Sequence, residues 1–170
     1  FTGQALANPD VDHDTLVIAN GASGGQAAPY WTDPDAPNYT RVLDEELTPA
    51  GLTPAQVQVA WVKVANGAPS VHLPEPDADA FVLEGEIGEI VRALRVNYPT
   101  LALVFLSSRI YAGYASTNLN PEPYAYESGF SVKWLIEAQI RQMRGLGLDP
   151  IAGDLDHATG VAPWLAWGPY

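Results

Sequence analysis

The chain has 170 residues, a formal net charge of −12, 47% hydrophobic and 16% charged residues, and no cysteine. That is enough for about one domain burying roughly 70% of its unfolded surface, and the high apolar content argues against disorder. The eight basic residues, Arg41, Lys63, Arg92, Arg95, Arg109, Lys133, Arg141 and Arg144, are scattered rather than gathered into a stripe, which argues against nucleic-acid or anionic-membrane partners.

Absent cysteine removes disulfides, thiolate metal sites and a cysteine nucleophile, and leaves compartment unread. No apolar run approaches the roughly 18 residues that span a bilayer, so the sequence reads as soluble, with secretion left open. The chain opens on Phe1 and stops inside the apolar run Ala162 to Tyr170, which reads as a fragment or a processed chain.

In chain order, Thr15-Leu-Val-Ile-Ala19 is the first short apolar run flanked by turn residues, followed by 57–65 (Val-Gln-Val-Ala-Trp-Val-Lys-Val-Ala) and 101–106 (Leu-Ala-Leu-Val-Phe-Leu). Their length and β-branched content predict strands. Leu83, Ile87, Ile90, Val91 and Leu94 fall at helical spacing with Glu84, Glu86, Glu89, Arg92 and Arg95 on the other faces, the pattern of a helix covering a sheet. Gly85 and Gly88 within it mark close packing on that sheet. A second helix is expected from about Tyr126 to Arg144, with Val132, Ile136, Ile140 and Met143 on one stripe and Gly145 as its stop. The Pro- and Asp-rich stretches from Pro29 to Pro37 and Pro74 to Asp79 read as surface loops. Strands alternating with helices imply right-handed βαβ units, an α/β fold and a mainly parallel sheet.

Open α/β sheets bind ligands beyond the carboxyl ends of their strands. The residues there are Asn20-Gly-Ala-Ser-Gly-Gly-Gln26, Asn66-Gly67 and Ser107-Ser108-Arg109. Backbone N–H groups near Gly24 and the Asn66 side-chain amide are candidates to converge on one oxygen, as donors aimed at charge developing in acyl transfer.

A strand followed by Asn-x-x-x-Gly, then a strand ending in Asn, resembles the second and third sequence blocks of the SGNH (GDSL-type) hydrolases. Ser23-Gly24 is similar to the block-two Ser-Gly, and Val64-Ala65-Asn66-Gly67 stands where Gly-x-Asn-Asp is usual, keeping only the Asn. Longer runs, Ser107 to Tyr114, Asn120 to Ser128 and Trp164 to Tyr170, resemble a bacterial branch of that superfamily. The resemblance implies a three-layer α/β/α fold with a mainly parallel, flavodoxin-like sheet, here one domain over residues 1–170, incomplete at both ends. It also implies a serine esterase without cofactor or metal, acting on small or carbohydrate esters, with Gly24 and Asn66 in the oxyanion hole. The family's nucleophile strand would precede this chain and its Asp-x-x-His block would follow, and a sheet short of a strand is expected to self-associate.

A second candidate set lies within the chain. Gly21-Ala-Ser-Gly-Gly25 matches the nucleophile-elbow pattern, but Pro29 and the following loop stand where an elbow needs a helix. Asp154-Leu-Asp-His157 satisfies Asp-x-x-His, so Ser23, Asp154 and His157 form an alternative triad in chain order, against a surface reading of His157. His13 and His72 have no partner at metal-ligand spacing. Asp10-Val-Asp-His-Asp14 lacks the Gly and Glu of a calcium loop and reads as a solvated turn before a strand. Substrate-binding candidates are Tyr30, Trp31, Ser108 and Arg109, the rings serving either as stacking platforms or as buried loop anchors. A non-catalytic carbohydrate-binding or structural module is the alternative function, since fold does not fix function.

Overall fold

The structure is a computed structural model that describes residues 2–169. In chain order it contains α1 (Thr2–Ala7), α2 (Pro37–Val42), β1 (Val59–Val62), α3 (Asp79–Asn97), β2 (Leu103–Leu106), α4 (Tyr124–Met143) and β3 (Trp164–Trp167). The three strands form one parallel sheet in the order β1-β2-β3, with Val59 opposite Leu103 and Leu103 opposite Trp164. This is an α/β fold with an open parallel sheet.

The strand order decides where the helices go. Two right-handed crossovers that step in the same direction must lay both helices on the same face. Accordingly α3 packs on α4, and Leu83, Ile87, Ile90 and Leu94 of α3 share one core with Val132 and Leu135 of α4. Val104, Leu106 and Leu165 reach that core from the strands. Each fully buried Leu or Ile stabilises the fold by roughly 2–3 kcal/mol relative to exposure. The alternate strand residues point the other way: Val59, Trp61 and Trp164 are 54%, 42% and 41% exposed. Among the described residues, then, the helices cover one face, and the second helical layer of a three-layer fold is not among them.

The sequence expectations need correcting in several places. Thr15–Ala19 is irregular rather than a strand, and Leu16 and Val17 are exposed; a run of this kind becomes a strand only if an edge is available to pair with it. The stretch Pro29 to Pro37 is more than a surface loop. It carries a 3-10 turn at Ala28–Trp31 and leads into α2, with Ala28 and Tyr39 buried, and the Ala28 N–H donates to the Ala65 carbonyl just past β1. The terminal apolar run is β3, which explains its composition. Glu84, assigned to an outer helix face, is buried.

Other readings hold. Gly145 ends the long helix at φ +74°, its N–H on the Gln142 carbonyl and the Leu146 N–H on that of Arg141, a Schellman stop. The Asp12 carboxylate closes the 12–15 turn by accepting the Asp14 and Thr15 N–H groups, although no strand follows. Gly88 marks close packing, but the approach is from the 149–153 loop rather than the sheet: a Cβ there would lie 2.4 Å from the Ala152 carbonyl oxygen.

Gln139 was invisible to the apolar pattern. It is buried in α4, donates to the Leu155 and Pro163 carbonyls at 3.1 and 2.8 Å, and accepts the Leu165 N–H at 2.8 Å. One side chain thereby satisfies three backbone groups that the entry to β3 would otherwise leave unpaired.

Candidate functional site

Because the strands are parallel, their carboxyl ends open on one edge. The ladder continues past the strands, with the Ser107 N–H on the Val62 carbonyl and the Gly168 N–H on that of Leu106. At this edge the Trp61 Nε1–H donates to Ser107 Oγ at 2.7 Å, and the Ser107 hydroxyl donates to the Pro169 carbonyl at 2.6 Å. Glycine at 168 permits this relay, since a Cβ would sit 2.4 Å from Ser107 Oγ. Two residues past Ser107, the Arg109 N–H donates to Ser128 Oγ at 2.9 Å, and that hydroxyl donates to the Ala125 carbonyl. The first turns of α4 are thus pinned to the end of β2.

Between them lies a cleft of about 400 Å³, within the range of small-molecule sites. Ser107, Ser108 and Arg109 form its floor, Tyr126, Phe130 and Lys133 of α4 one wall, and Trp167 with Gly168 and Pro169 the other. The α4 wall belongs to a run of rings: Tyr126 meets Phe130 edge-on at 5.8 Å, Phe130 stacks on Trp134 at 5.7 Å, and Trp134 on Phe81 at 5.0 Å. Among the described residues no carboxylate lines the cleft. Lys133 is exposed and pairs with Glu137 at 3.1 Å. Arg109 has no ion pair among the described residues, and its Nε is buried without a hydrogen-bond partner. Burial, with the nearby Arg109 charge, lowers the affinity of the Lys63 amine for its proton.

The sequence-derived residues fall in different places. Ser108 and Arg109 line the cleft. Asn66 stands at the carboxyl side of β1, where one amide N–H donates to the Asp79 carbonyl at 3.2 Å, while its Oδ1 is buried and unpartnered. The Asn120 amide donates to the Asn66 carbonyl, and the Asp79 carboxylate accepts the Ser70 and Val71 N–H groups, so Asn66 belongs to a polar cluster that fastens this loop to the start of α3. Gly24 and Ser23 lie in an exposed loop, with open space around the Gly24 Cα.

Asp154 is exposed; its carboxylate accepts from Gln142 Nε2 and the Asp156 N–H, and these bonds hold it below the usual carboxylate range. His157 is exposed and packs edge-on against Trp164, the first residue of β3, at 5.4 Å. Among the described residues no hydrogen bond links Ser23, Asp154 and His157. Trp31 is an anchor, set edge-on to Tyr39 at 5.5 Å with its carbonyl accepting the Tyr39 hydroxyl; Tyr30 is exposed. No group of three or more His, Asp or Glu side chains gathers to hold a metal among the described residues, and none of their helices is long and apolar enough to cross a membrane.

The sequence counts Tyr126 among rings that could stack on a ligand beside the strand ends, and it lines the cleft from the first turn of α4; Phe130, Lys133 and Trp167 were passed over. The signal for Phe130 was present, because Tyr126, Phe130 and Trp134 recur every four residues, a ring stripe beside the aliphatic one. Trp167 carried no such signal, since its place depends on β3 pairing beside β2. Compared with protein-family models, curated proteins and solved structures, the chain matches none.

Proposed function

We propose that the chain is part of a serine ester hydrolase of the SGNH type, acting on small or carbohydrate esters, with the carboxyl edge of the sheet as its substrate side. The observation that carries this reading is the common edge itself: Asn66 follows β1, Ser107 to Arg109 follow β2, and a cleft of ligand size opens at Ser107 to Arg109, with Asn66 on the same edge but outside its lining. A side-chain amide has two N–H groups. In this reading the Asp79 carbonyl takes one from Asn66 and fixes the amide's orientation, and the other, with the Gly24 backbone N–H, faces the oxyanion.

The test is turnover of p-nitrophenyl acetate by the intact protein. Asn66→Ala is expected to lower kcat about a hundred- to a thousandfold with little change in KM, the loss typical of one oxyanion donor, while Ser23→Ala leaves turnover largely intact. Thermal melts separate this from a purely structural role, in which losing the Asp79 bond lowers stability by about 1 kcal/mol without a specific rate effect. No turnover, or full turnover in Asn66→Ala, sinks the reading.

A second reading, a non-catalytic carbohydrate-binding module, is favoured by the bond that Asn66 spends on Asp79 and by the ring-lined cleft. Glycan binding without ester turnover selects it.

A further inference from the structure

The basic residues of this chain are few, and the cleft gathers a disproportionate share of them. Against a net charge of −12 with only eight Lys and Arg, Arg109 and Lys133 both line it. A surface this acidic offers many carboxylates to pair with a cation, yet Arg109 has none, and its buried Nε–H has no acceptor among the described residues. The Nε–H is closed to solvent, so the observation that points to a ligand is the missing ion pair of a cleft-lining cation rather than this one atom. The walls are flat and apolar: Tyr126 and Phe130 on one side, and Trp167, half exposed, on the other.

We propose that this cleft binds a ring-bearing organic anion, a carboxylate on one or two rings, whose flat face lies against the aromatic walls and whose carboxylate is taken by the Arg109 guanidinium, with Lys133 at the mouth. A guanidinium matches a carboxylate in planar geometry, rings prefer offset or edge contacts of the kind these walls offer, and a cleft of about 400 Å³ admits a ligand of that size. Uronic-acid sugars and aromatic acids share this chemistry. The inference names the ligand class of the cleft used in the hydrolase reading, but it needs no hydrolysis.

Calorimetric titration of the intact protein with four probes tests it: digalacturonate, ferulate, maltose and sodium sulfate. One or both acids are expected to bind, maltose at least tenfold more weakly, and sulfate weakly or not at all. Arg109→Gln should weaken the acid roughly ten- to a hundredfold, the effect of one charge-assisted hydrogen bond, and leave the weak maltose signal unchanged. Arg109→Lys should recover part of the loss. The fold should tolerate these changes, because the bond to Ser128 is made by the Arg109 backbone. If a melt shows otherwise, Lys133→Gln on the exposed rim and the salt dependence of acid binding replace them, each expected to weaken it severalfold.

The inference is overturned if neither acid binds, if maltose or sulfate binds as tightly as the acids, or if Arg109→Gln and Lys133→Gln both leave acid affinity unchanged. Because the probes are not esters, acid binding without ester turnover removes only the hydrolase reading, and turnover without acid binding removes only this one.

Discussion

Two glycines on α3 give a prediction whose sign can be worked out. Replacing a helical Gly by Ala ordinarily stabilises by about 1 kcal/mol, because Gly loses the most backbone entropy on folding. At Gly88 the new Cβ would stand 2.4 Å from the Ala152 carbonyl oxygen, about 0.9 Å inside a normal carbon–oxygen contact of roughly 3.3 Å. The obstacle is backbone, in a loop fastened by the Gly153 N–H on the Asp149 carbonyl and by Arg92 on the Ala152 carbonyl. Such overpacking costs typically 1–3 kcal/mol; at this overlap the upper end applies and outweighs the propensity gain, for a net loss of about 2 kcal/mol. At Gly85 the nearest atom would be the Ile151 carbonyl oxygen at 3.4 Å, an ordinary contact, so the propensity gain survives.

The two Ala variants should therefore move in opposite directions, Gly88→Ala melting roughly 4–8 °C lower and Gly85→Ala about 2–4 °C higher, at 2–4 °C per kcal/mol for a chain of this size. Calorimetry on the intact protein reads both. Shifts of the same sign in both variants, or a Gly88→Ala protein as stable as its parent, would refute the close approach of the 149–153 loop to α3.

Other outcomes follow from the same structure. Gln139→Leu keeps the volume but leaves the Leu155 and Pro163 carbonyls and the Leu165 N–H unpaired, a loss of about 3 kcal/mol or more that should lower the denaturant midpoint; an unchanged midpoint would contradict the network. Burial first, and Asp149 second, push the Glu84 carboxyl up from 4.5 to about 7. A raised carboxyl makes the folded state bind the extra proton, so its contribution is full below pH 4.5 and is lost as pH rises through 7, about 3 kcal/mol in all. Glu84→Gln should flatten that decline in melts from pH 4.5 to 8, and an unaltered pH profile would rule it out. The sheet face that carries Val59 and Trp164, both exposed among the described residues, should bind an apolar dye and drive association at high concentration. A monodisperse, dye-silent protein would show that this face is shielded.

Local composition alone determined the two long helices and two of the three strands. The stripe from Leu83 to Leu94 repeats at helical spacing, Gly145 carries the positive φ that stops α4, and 101–106 is too short and too apolar for anything but a buried strand. Periodicity reports what a segment does with its own backbone, and these elements need little else. The alternation of strand and helix likewise fixed the parallel sheet, because right-handed crossovers leave few alternatives.

The rest depended on pairing partners that no local pattern encodes. Thr15–Ala19 has strand composition and no strand, whereas Trp164–Trp167 reads as an apolar terminus and completes the sheet; hydrogen bonds between strands are non-local, so composition cannot say which edge exists. Gln139 and Glu84 sit among apolar neighbours that only the packing of α3, α4 and the entry to β3 supplies. The cleft shows the same division. Ser108 and Arg109 were legible as residues after a strand, but Phe130, Lys133 and Trp167 face them only because β3 lies beside β2 and α4 crosses back over both, a juxtaposition of segments far apart in the chain that exists only once the sheet is assembled.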